Sequence, residues 1–329
     1  MNNTETKIIL FWSLYNSKDI DFDNWRNKKI DILPLHHLSL QAHIKFKNDT
    51  TIYSYQKFNE GQIPAGIKVK DADEIFNSRQ AFVSLKYGHS IAHISDVVRL
   101  KVASDISGIV MDMDAVVLKE LPKQDCWFAS MPAKLTGGFA PKWGNSHPPL
   151  YINDNSWNGK ALASFPIKVN QVIKKDIASL SNRIIKTLKE EPSKTSSAWN
   201  YILWEVKKIM RINKEAKVFE PIYFCSLPAW LSDGKCYSLE SPTRLNGLTE
   251  LFGTRLPDIK EIFEKSFVVQ HFFDSSANMQ GGYGVTSSRK KENKNNFWKS
   301  ISENCLLGKE AHFIIGENWK NILIEKTNK

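Results

Sequence analysis

The order of apolar and polar positions in the first half of the chain predicts alternating strands and helices. Residues 7–14 and 50–55 are short runs rich in apolar, β-branched and aromatic side chains, which predict two strands. Between them, residues 35–46 predict the first crossover helix. The resulting order of strand, helix and strand is typical of α/β proteins.

The central stretch of the chain places acidic residues at the end of a buried strand. The apolar run 109–111 lies between Gly108 and the acids Asp112 and Asp114, so it predicts a strand that ends where the sheet meets solvent. In an extended chain, alternate side chains point the same way, so we expect the two carboxylates on one side, about 6.6 Å apart. At an effective dielectric of about 20 they would repel by roughly 2.5 kcal/mol, which favours a bound cation. Hard divalent ions bind carboxylate oxygens and can bridge a diphosphate.

A predicted helix ahead of this strand carries two further charged residues. Asp96 and Arg99 are three positions apart in an apolar segment, so they share one face of a helix that ends before Gly108. His89 and His93 are four positions apart and could form a helical metal pair. Polar packing is the stronger interpretation, because no further ligand is spaced near them.

The second half of the chain continues the mixture of strands and helices. Residues 127–131 predict another short strand, and apolar residues that step by threes and fours predict two amphipathic helices within 169–188 and 199–209. Residues 267–276 form an apolar run that leads into His271 and a polar turn, which predicts a late strand. The chain as a whole is therefore expected to be an α/β protein.

The composition is that of an ordinary soluble protein with a basic surplus. Of the 329 residues, 42% are hydrophobic and 24% are charged, and the formal net charge is +10. Such a charge suits an anionic partner: a nucleotide diphosphate, a phospholipid surface or nucleic acid. One basic cluster lies at 289–299, where a solvated loop is the more ordinary interpretation. No nucleic-acid module signature accompanies it, so contact with an anionic membrane surface is the next interpretation.

The ends and the cysteines add expectations about the cellular compartment. The first residues lack the basic and long apolar regions of a signal peptide, and the apolar run 8–14 is too short to span a bilayer. We therefore expect a cytoplasmic protein, with peripheral contact at the inner face of the membrane. The cysteines have no zinc or redox spacing and are expected to be buried free thiols, although the second and third could be near neighbours; they are Cys126, Cys225, Cys236 and Cys305.

Two segments together resemble a known family. The sequence Ser-Asp-x-x-Arg at 95–99, followed by Gly-Ile-x-x-Asp-x-Asp at 108–114, resembles the sugar-nucleotide glycosyltransferases that carry a DXD motif in a GT-A fold. The likeness is to the bacterial polysaccharide and α-1,4-glycosyltransferase-like group (family 32-like), whose core is shared by the large clostridial glucosylating toxins. Residues 63–72 resemble that group's connector Pro-x-Gly-x-x-x-x-Asp-Ala. Where the family usually has Gly-Gly before the strand, Ser107 replaces the first glycine.

The resemblance implies a role for each matching residue. Asp96 would hold the donor sugar or ribose, Arg99 the donor sugar and phosphate, and Asp112 the ribose and sugar hydroxyls. Asp114 would bind the Mn²⁺ or Mg²⁺ that neutralises the leaving diphosphate. Trp12, at the end of the first strand, would stack on the nucleotide base; a core tryptophan is an equally good interpretation of that residue.

Two later segments add candidates through the same resemblance. Residues 158–166 resemble the strand that lines the sugar pocket in the family, so Asn158 and Gly159 are candidate donor contacts, although Asn-Gly is equally a turn sequence. Family members bring a late histidine back to the metal and the diphosphate. His271 is the eligible third ligand, and a structural histidine is its alternative.

The expected function is therefore metal-dependent transfer of a sugar, with retention, from a nucleotide-sugar donor to an acceptor. A UDP-sugar is the favoured donor, and the acceptor would be a saccharide or glycolipid in polysaccharide or lipopolysaccharide synthesis, or a protein, as for the toxins. The resemblance implies one GT-A-like, Rossmann-type mixed sheet flanked by helices over residues 1–329. Residues 1–125 would bind the nucleotide, and 126–329 the sugar and the acceptor.

Two alternatives to this function remain open. Residues 110–116 also fit the opening motif of haloacid-dehalogenase-type phosphatases, in which Asp112 would be the nucleophile and Asp114 the acid/base. That motif normally opens the chain and is followed by a Lys and an acidic metal pair, whereas here it lies in the middle of the chain with no Asp-Asp after it. The other alternative is a non-catalytic module that binds sugar or a polyanion.

Overall fold

The computed structural model describes residues 7–16, 19, 21–124, 126–132, 160–170, 173–191, 209, 217–224, 258–271, 301 and 303–325. Its strands are β1 (Lys7–Phe11), β2 (Asp49–Ser54), β3 (Lys68–Asp71), β4 (Ile109–Val110), β5 (Ala115–Val117), β6 (Trp127–Pro132), β7 (Lys160–Lys168), β8 (Lys217–Phe219) and β9 (Val268–Gln270). Its helices are α1 (Phe22–Asn27), α2 (Pro34–Lys45), α3 (Ser78–Lys86), α4 (Ile91–Ile106), α5 (Lys174–Glu190), α6 (Pro221–Phe224), α7 (Ile259–Lys265), α8 (Leu306–Ile315) and α9 (Trp319–Glu325).

The strands form one mixed sheet and one small antiparallel pair. The order in the sheet is β3-β2-β1-β4-β7-β6-β8, and β5 pairs separately with β9. The first four strands of this order are parallel to one another, whereas β7 is antiparallel to both β4 and β6. The prediction of a mixed α/β sheet flanked by helices is confirmed at this level.

Each face of the sheet packs against its own set of helices. Along β1, Ile8 and Leu10 belong to the core cluster that contains α2 and α8. Ile9 and Phe11 belong to a second cluster that contains α3, α4 and α5. This alternation follows from the two-residue period of a strand, and both sets are buried because helices cover both faces of a parallel sheet.

The strand order reverses between β1 and β4, which are neighbours in the sheet. The chain leaves β1 through α2 on one face and reaches β2 on one side. It later leaves β3 through α3 and α4 on the opposite face and returns to the other side of β1. Ligands of open α/β sheets bind outside the carboxyl ends of the strands at such a reversal. The fold therefore directs attention to the residues that follow β1 and β4.

The turn from α4 into β4 requires a close approach of two backbones. Ser107 ends α4 with a φ of 54°, in the left-handed region that favours glycine. A Cβ added to Gly108 would lie 2.9 Å from Cδ1 of Ile9 and 3.0 Å from the backbone oxygen of Lys7. The absence of a side chain at Gly108 lets β4 lie directly against β1.

Several predicted boundaries differ from the structure for local reasons. Strand β1 ends at Phe11 rather than at residue 14, because the backbone N–H of Tyr55 donates to the Ser13 hydroxyl at 2.8 Å instead of continuing the strand ladder. Strand β3 lies within the segment matched above only to a family connector. Lys68, Val69 and Lys70 of this strand are exposed, as suits a strand at the edge of a sheet. Because of this exposure, the strand lacks the apolar run by which a buried strand is recognised in a sequence.

Some expectations fall only partly within the described residues. Cys126 and Cys305 are buried, as predicted, whereas Cys225 and Cys236 lie outside the described residues. The basic cluster 289–299 and most of the second amphipathic segment also lie outside them. In the part of the chain that is described, none of the helices is long and apolar enough to cross a membrane.

Candidate functional site

Residues that follow β1 and β4 meet at the carboxyl edge of the parallel strands. Trp12 directly follows β1, and its backbone N–H donates to the backbone oxygen of Tyr53 at 3.0 Å. Met111 and Asp112 follow β4, and the Met111 N–H donates to the backbone oxygen of Ile9 at 3.1 Å. The reversal of strand order thus places Trp12 and Asp112 directly after neighbouring strands, at the edge where open α/β sheets have their ligand crevice.

A buried arginine connects α4 to the segment after β4. Nη1 of Arg99 donates to the backbone oxygen of Met111 at 2.5 Å and to Oδ1 of Asp112 at 2.6 Å. Nη2 of Arg99 donates to Oδ1 of Asp96 at 2.8 Å. The side chains of Arg99 and Asp96 are 4% and 6% exposed, whereas that of Asp112 is 33% exposed. Asp112 is therefore the member of the triad that faces solvent.

The electrostatics of this triad keep the guanidinium charged. Burial on its own would lower the pKa of Arg99, but the charges of Asp112 and Asp96, with their hydrogen bonds, raise it above the ordinary value. One cation between two carboxylates leaves a net negative charge, and Asp112 presents it at the crevice. Such a group can accept hydrogen bonds from hydroxyls or contribute to a cation site.

Asp114 occupies a different environment from Asp112. The chain turns after Met111, with the Ala115 N–H donating to the backbone oxygen of Asp112 at 3.3 Å, so the predicted extended spacing of the two acids is wrong. Asp114 is buried, with 5% exposure. Its Oδ1 accepts a hydrogen bond of 2.6 Å from Nε2 of Gln270. The expectation of two exposed acids therefore holds in part for Asp112 and is wrong for Asp114.

The antiparallel pair of β5 and β9 brings His271 to Asp114. Gln270 lies opposite Ala115 in the register, and the His271 N–H donates to the backbone oxygen of Asp114 at 3.2 Å. Nε2 of His271 lies 2.7 Å from Oε2 of Glu310 on α8, and both side chains are fully buried. Burial raises the pKa of Glu310 above its usual range, although the neighbouring histidine favours the carboxylate.

The sequence interpretation missed Gln270 and Glu310. Gln270 is the polar end of an otherwise apolar strand. Glu310 shares helical spacing with Leu306 and Leu307 on the buried face of α8, and an acid on an apolar stripe is a usable signal. The partner of each residue lies too far away in sequence to be paired without the structure.

Trp12 packs into the core cluster on the α2 side of the sheet and is 7% exposed. Its Nε1 donates to the backbone oxygen of Asp31 at 3.0 Å. Its ring makes an edge contact with His36, with ring centroids 4.0 Å apart. Trp12 therefore has a structural role at the crevice, and a contact with a nucleotide base would be additional.

Asn158 and Gly159 lie outside the described residues. The strand that begins directly after them, β7, is antiparallel to β4. Its amino end therefore points in the direction of the carboxyl end of β4, but Lys160 lies seven residues beyond Ile167, which pairs with Val110.

The metal site predicted from the sequence would use Asp114 and His271. Among the described residues, no group of three or more His, Cys, Asp or Glu side chains could hold a metal ion. Asp112 and Asp114 carry carboxylate oxygens, which suit Mn²⁺ or Mg²⁺, whereas the imidazole of His271 is a donor more typical of Zn²⁺, Cu²⁺ or Fe²⁺. Mg²⁺ commonly takes one or two protein carboxylates and completes its shell with phosphates and water. The described side chains therefore do not form a metal site by themselves.

Comparisons with known proteins add little to this geometry. No family model matches the chain, and no protein with a curated description matches it. A solved structure titled "PaToxG Glycosyltransferase" resembles the chain with 15% identity and a TM-score of 0.33, covering 63% of this chain and 73% of that one. A TM-score this low carries no argument about function.

Proposed function

We propose that this protein is a glycosyltransferase that moves a sugar from a nucleotide-sugar donor to an acceptor. The observation that carries the proposal is the placement of Trp12 and Asp112, which follow β1 and β4 on either side of the reversal in strand order. Open α/β sheets bind nucleotides at this position. The partly exposed carboxylate of Asp112 is suited to accept hydrogen bonds from ribose or sugar hydroxyls.

The family resemblance gives Asp96 and Arg99 direct contacts to the donor, but burial of both side chains leaves little surface for such contacts, so in this proposal they act through Asp112. Both side chains are almost fully buried and hydrogen-bonded to each other. Arg99 also donates to the backbone oxygen of Met111 and to the carboxylate of Asp112, where the turn begins. These contacts fix the carboxylate of Asp112, and fixed polar groups are what a donor site requires.

We further propose Asp114, with His271 beside it, as the protein ligands of a Mn²⁺ or Mg²⁺ ion. The backbone N–H of His271 donates to the backbone oxygen of Asp114, and this contact supports their use as ligands of one ion. When bound, such an ion neutralises the charge that develops on a leaving diphosphate. Gln270 holds the Asp114 carboxylate in place through its 2.6 Å hydrogen bond.

The remaining parts of the proposal concern the donor and the acceptor. Trp12 is the candidate contact for the base, with a UDP-sugar favoured, and Asn158 with Gly159 would contact the sugar. The net charge of +10 suits an anionic donor. The proposed acceptor is a saccharide or glycolipid, reached in the cytoplasm at the inner face of the membrane, with a protein acceptor as the alternative.

The test is release of nucleoside diphosphate from a panel of UDP- and GDP-sugars in the presence of Mn²⁺. We expect release by the wild type from at least one donor and a loss of at least about a hundredfold in Asp114→Asn. The matched control is Asp105→Asn, because Asp105 is an exposed acid whose carboxylate pairs with Lys101 on α4. No release from any donor, together with cleavage of p-nitrophenyl phosphate, would favour the phosphatase. Nucleotide-sugar binding without release would favour the binding module.

A further inference from the structure

The outward face of α5 carries a stripe of lysines that contains no acid. Five exposed residues follow one another along this face at steps of four and three: Lys175, Ser179, Asn182, Lys186 and Lys189. Residues at this spacing lie above one another on a helix, so we call them the lysine stripe. At a rise of about 1.5 Å per residue the stripe is about 21 Å long. The two acids of α5, Asp176 and Glu190, lie beside the stripe rather than on it.

The charges of the lysine stripe are poorly compensated. Among the described residues, neither Lys175 nor Lys189 has an ion-pair partner. Nζ of Lys186 lies 3.9 Å from Oε1 of Glu190, and both of these side chains are largely exposed. An exposed pair at this distance neutralises little charge. The stripe therefore presents three positive charges to an anionic partner.

A groove on the same helix adds hydrogen-bond donors to these charges. Its volume is about 520 Å³, and its lining includes Ser179, Asn182 and Arg183 between Lys175 and Lys186. Ammonium and guanidinium groups form charge-assisted hydrogen bonds with phosphate oxygens, and hydroxyl and amide groups donate to the same oxygens. The groove thus has the chemistry of a site for phosphate groups.

The opposite face of α5 is already used by the core. Its buried residues pack with α3 and α4 in the second core cluster; they include Ile177, Leu180, Ile184 and Leu188. The helix therefore has no apolar face to insert into a bilayer, as a free amphipathic helix does. A partner of α5 must be held by its outward polar side chains, so the contact should weaken as salt screens the charges.

The neighbouring helix favours a lipid surface over duplex nucleic acid. Helix α3 packs beside α5 on the same side of the sheet. Val83 of α3 and Tyr87, one turn later, are 44% and 55% exposed. The phosphate backbone of a duplex offers these side chains no apolar surface, whereas tyrosine is enriched where a bilayer meets water.

We propose that the lysine stripe of α5 is the face by which this protein docks on membranes that contain anionic phospholipids. The phosphates of the lipid headgroups would occupy the groove between Lys175 and Lys186. Juxtamembrane lysines gain binding energy from the negative surface potential of such membranes. The inference rests on the proposed function for the purpose of the contact, because that function places the acceptor at a membrane.

The experiment measures binding of the full chain to vesicles by co-sedimentation, in EDTA and without nucleotide. We expect the wild type to bind vesicles of about 30% phosphatidylglycerol in phosphatidylcholine, and not vesicles of phosphatidylcholine alone. Binding should be strong in about 0.1 M salt and weak in about 0.5 M salt. The triple variant Lys175→Gln/Lys186→Gln/Lys189→Gln should bind about a hundredfold more weakly, because each lysine near the surface contributes about fivefold.

Two control variants separate the position of the charges from their number. Lys260→Gln/Lys265→Gln/Lys309→Gln removes three charges from exposed positions of α7 and α8, which pack on the other face of the sheet. This variant should keep the wild-type affinity within about twofold, because its lysines lie far from the docked face. Replacing the three stripe lysines with arginine keeps their charge and should preserve binding. Urea denaturation of each variant confirms that it is folded.

Distinct results would overturn the inference or the function beneath it. Wild-type binding by the stripe variant, or an equal loss in the control variant, would show that α5 is not the docking face. Displacement by inorganic phosphate at constant ionic strength would indicate a groove for free anions, and tighter binding to duplex DNA through the same lysines would indicate a nucleic-acid surface. Either result would overturn membrane docking. These measurements use no sugar donor, so loss of docking would leave the proposed transferase intact, and failure of donor release would leave the docking result intact.

Discussion

Arg99 holds the carboxylate of Asp112 with a 2.6 Å hydrogen bond from Nη1 to Oδ1. The two residues lie on different elements, since Arg99 is buried in α4 and Asp112 follows β4. The same guanidinium also binds Asp96. The buried guanidinium of Arg99 therefore joins α4 to Asp112, the partly exposed acid at the point where the strand order reverses. This contact links the stability of the fold to the geometry of the site.

The first prediction follows from the burial of this cation. Arg99→Met should lower the free energy of unfolding by about 3–5 kcal/mol, because it leaves Asp96 buried without its positive partner. Urea denaturation at neutral pH measures the change. The control is Lys101→Met on the same helix, whose partly exposed pair with Asp105 should contribute no more than about 1 kcal/mol. Equal effects of the two substitutions would show that the triad does not stabilise the fold.

The sequence predicted the local parts of this site well. Asp96 and Arg99 share a helix face, and Asp112 follows a buried strand at the sheet edge, because both relationships depend on helix and strand periods. The contacts of Asp114 and His271 could not be predicted. Their side-chain partners are 156 and 39 positions away, and such pairings depend on how β5, β9 and α8 pack.

The burial of Asp114 shows a second limit of sequence interpretation. An Asp-x-Asp tripeptide after a strand does not reveal whether the chain continues extended or turns, and here it turns. The turn sends the second acid inward to Gln270 while the first stays partly exposed. The electrostatic repulsion expected between two carboxylates in an extended chain therefore does not describe Asp112 and Asp114.

The second prediction concerns Asp114→Asn. The amide retains an oxygen that can accept from Gln270, so the free energy of unfolding should change by less than about 1 kcal/mol. The lost charge should remove the gain in UDP affinity that Mn²⁺ gives to the wild type, measured by calorimetric titration in Mn²⁺ and in EDTA. Turnover should fall at least about a hundredfold, which corresponds to roughly 2.7 kcal/mol. Equal UDP affinity of the wild type in both buffers would contradict the metal role.

The third prediction tests whether Trp12 contacts the base in addition to its core role. UDP should quench part of the wild-type tryptophan fluorescence, and the quenching should decrease in Trp12→Phe. Phenylalanine is chosen because Trp12→Ala would remove a buried ring, at a cost of about 3–5 kcal/mol in stability. Loss of base stacking would itself weaken UDP binding by about 1–3 kcal/mol in an alanine variant that remains folded. Undiminished quenching in Trp12→Phe would assign Trp12 to the core alone.

The fourth prediction arises from two buried histidines of α2. Burial lowers the pKa of His36 and of His43 to about 3, while in the unfolded chain each should titrate near its ordinary value of about 6.5. Between these values the unfolded state binds protons that the folded state does not. The free energy of unfolding should therefore be highest above pH 6.5 or so and fall as the pH decreases toward 3, by up to about 1.4 kcal/mol per pH unit for each histidine.

His43→Gln isolates one of these protons, because the substitution removes a titrating group that is not one of the proposed site residues and that contacts Asn48. Urea unfolding at several values between pH 7.5 and pH 4.5 should show a slope smaller by about one proton than that of the wild type. Ile44→Gln, which introduces the same side chain at the next and more exposed position, should keep the wild-type slope. If His43→Gln and the wild type lose stability in parallel as the pH falls, the histidine protonates equally in the folded and unfolded states. The side chain of His43 would then be accessible to solvent in the folded state.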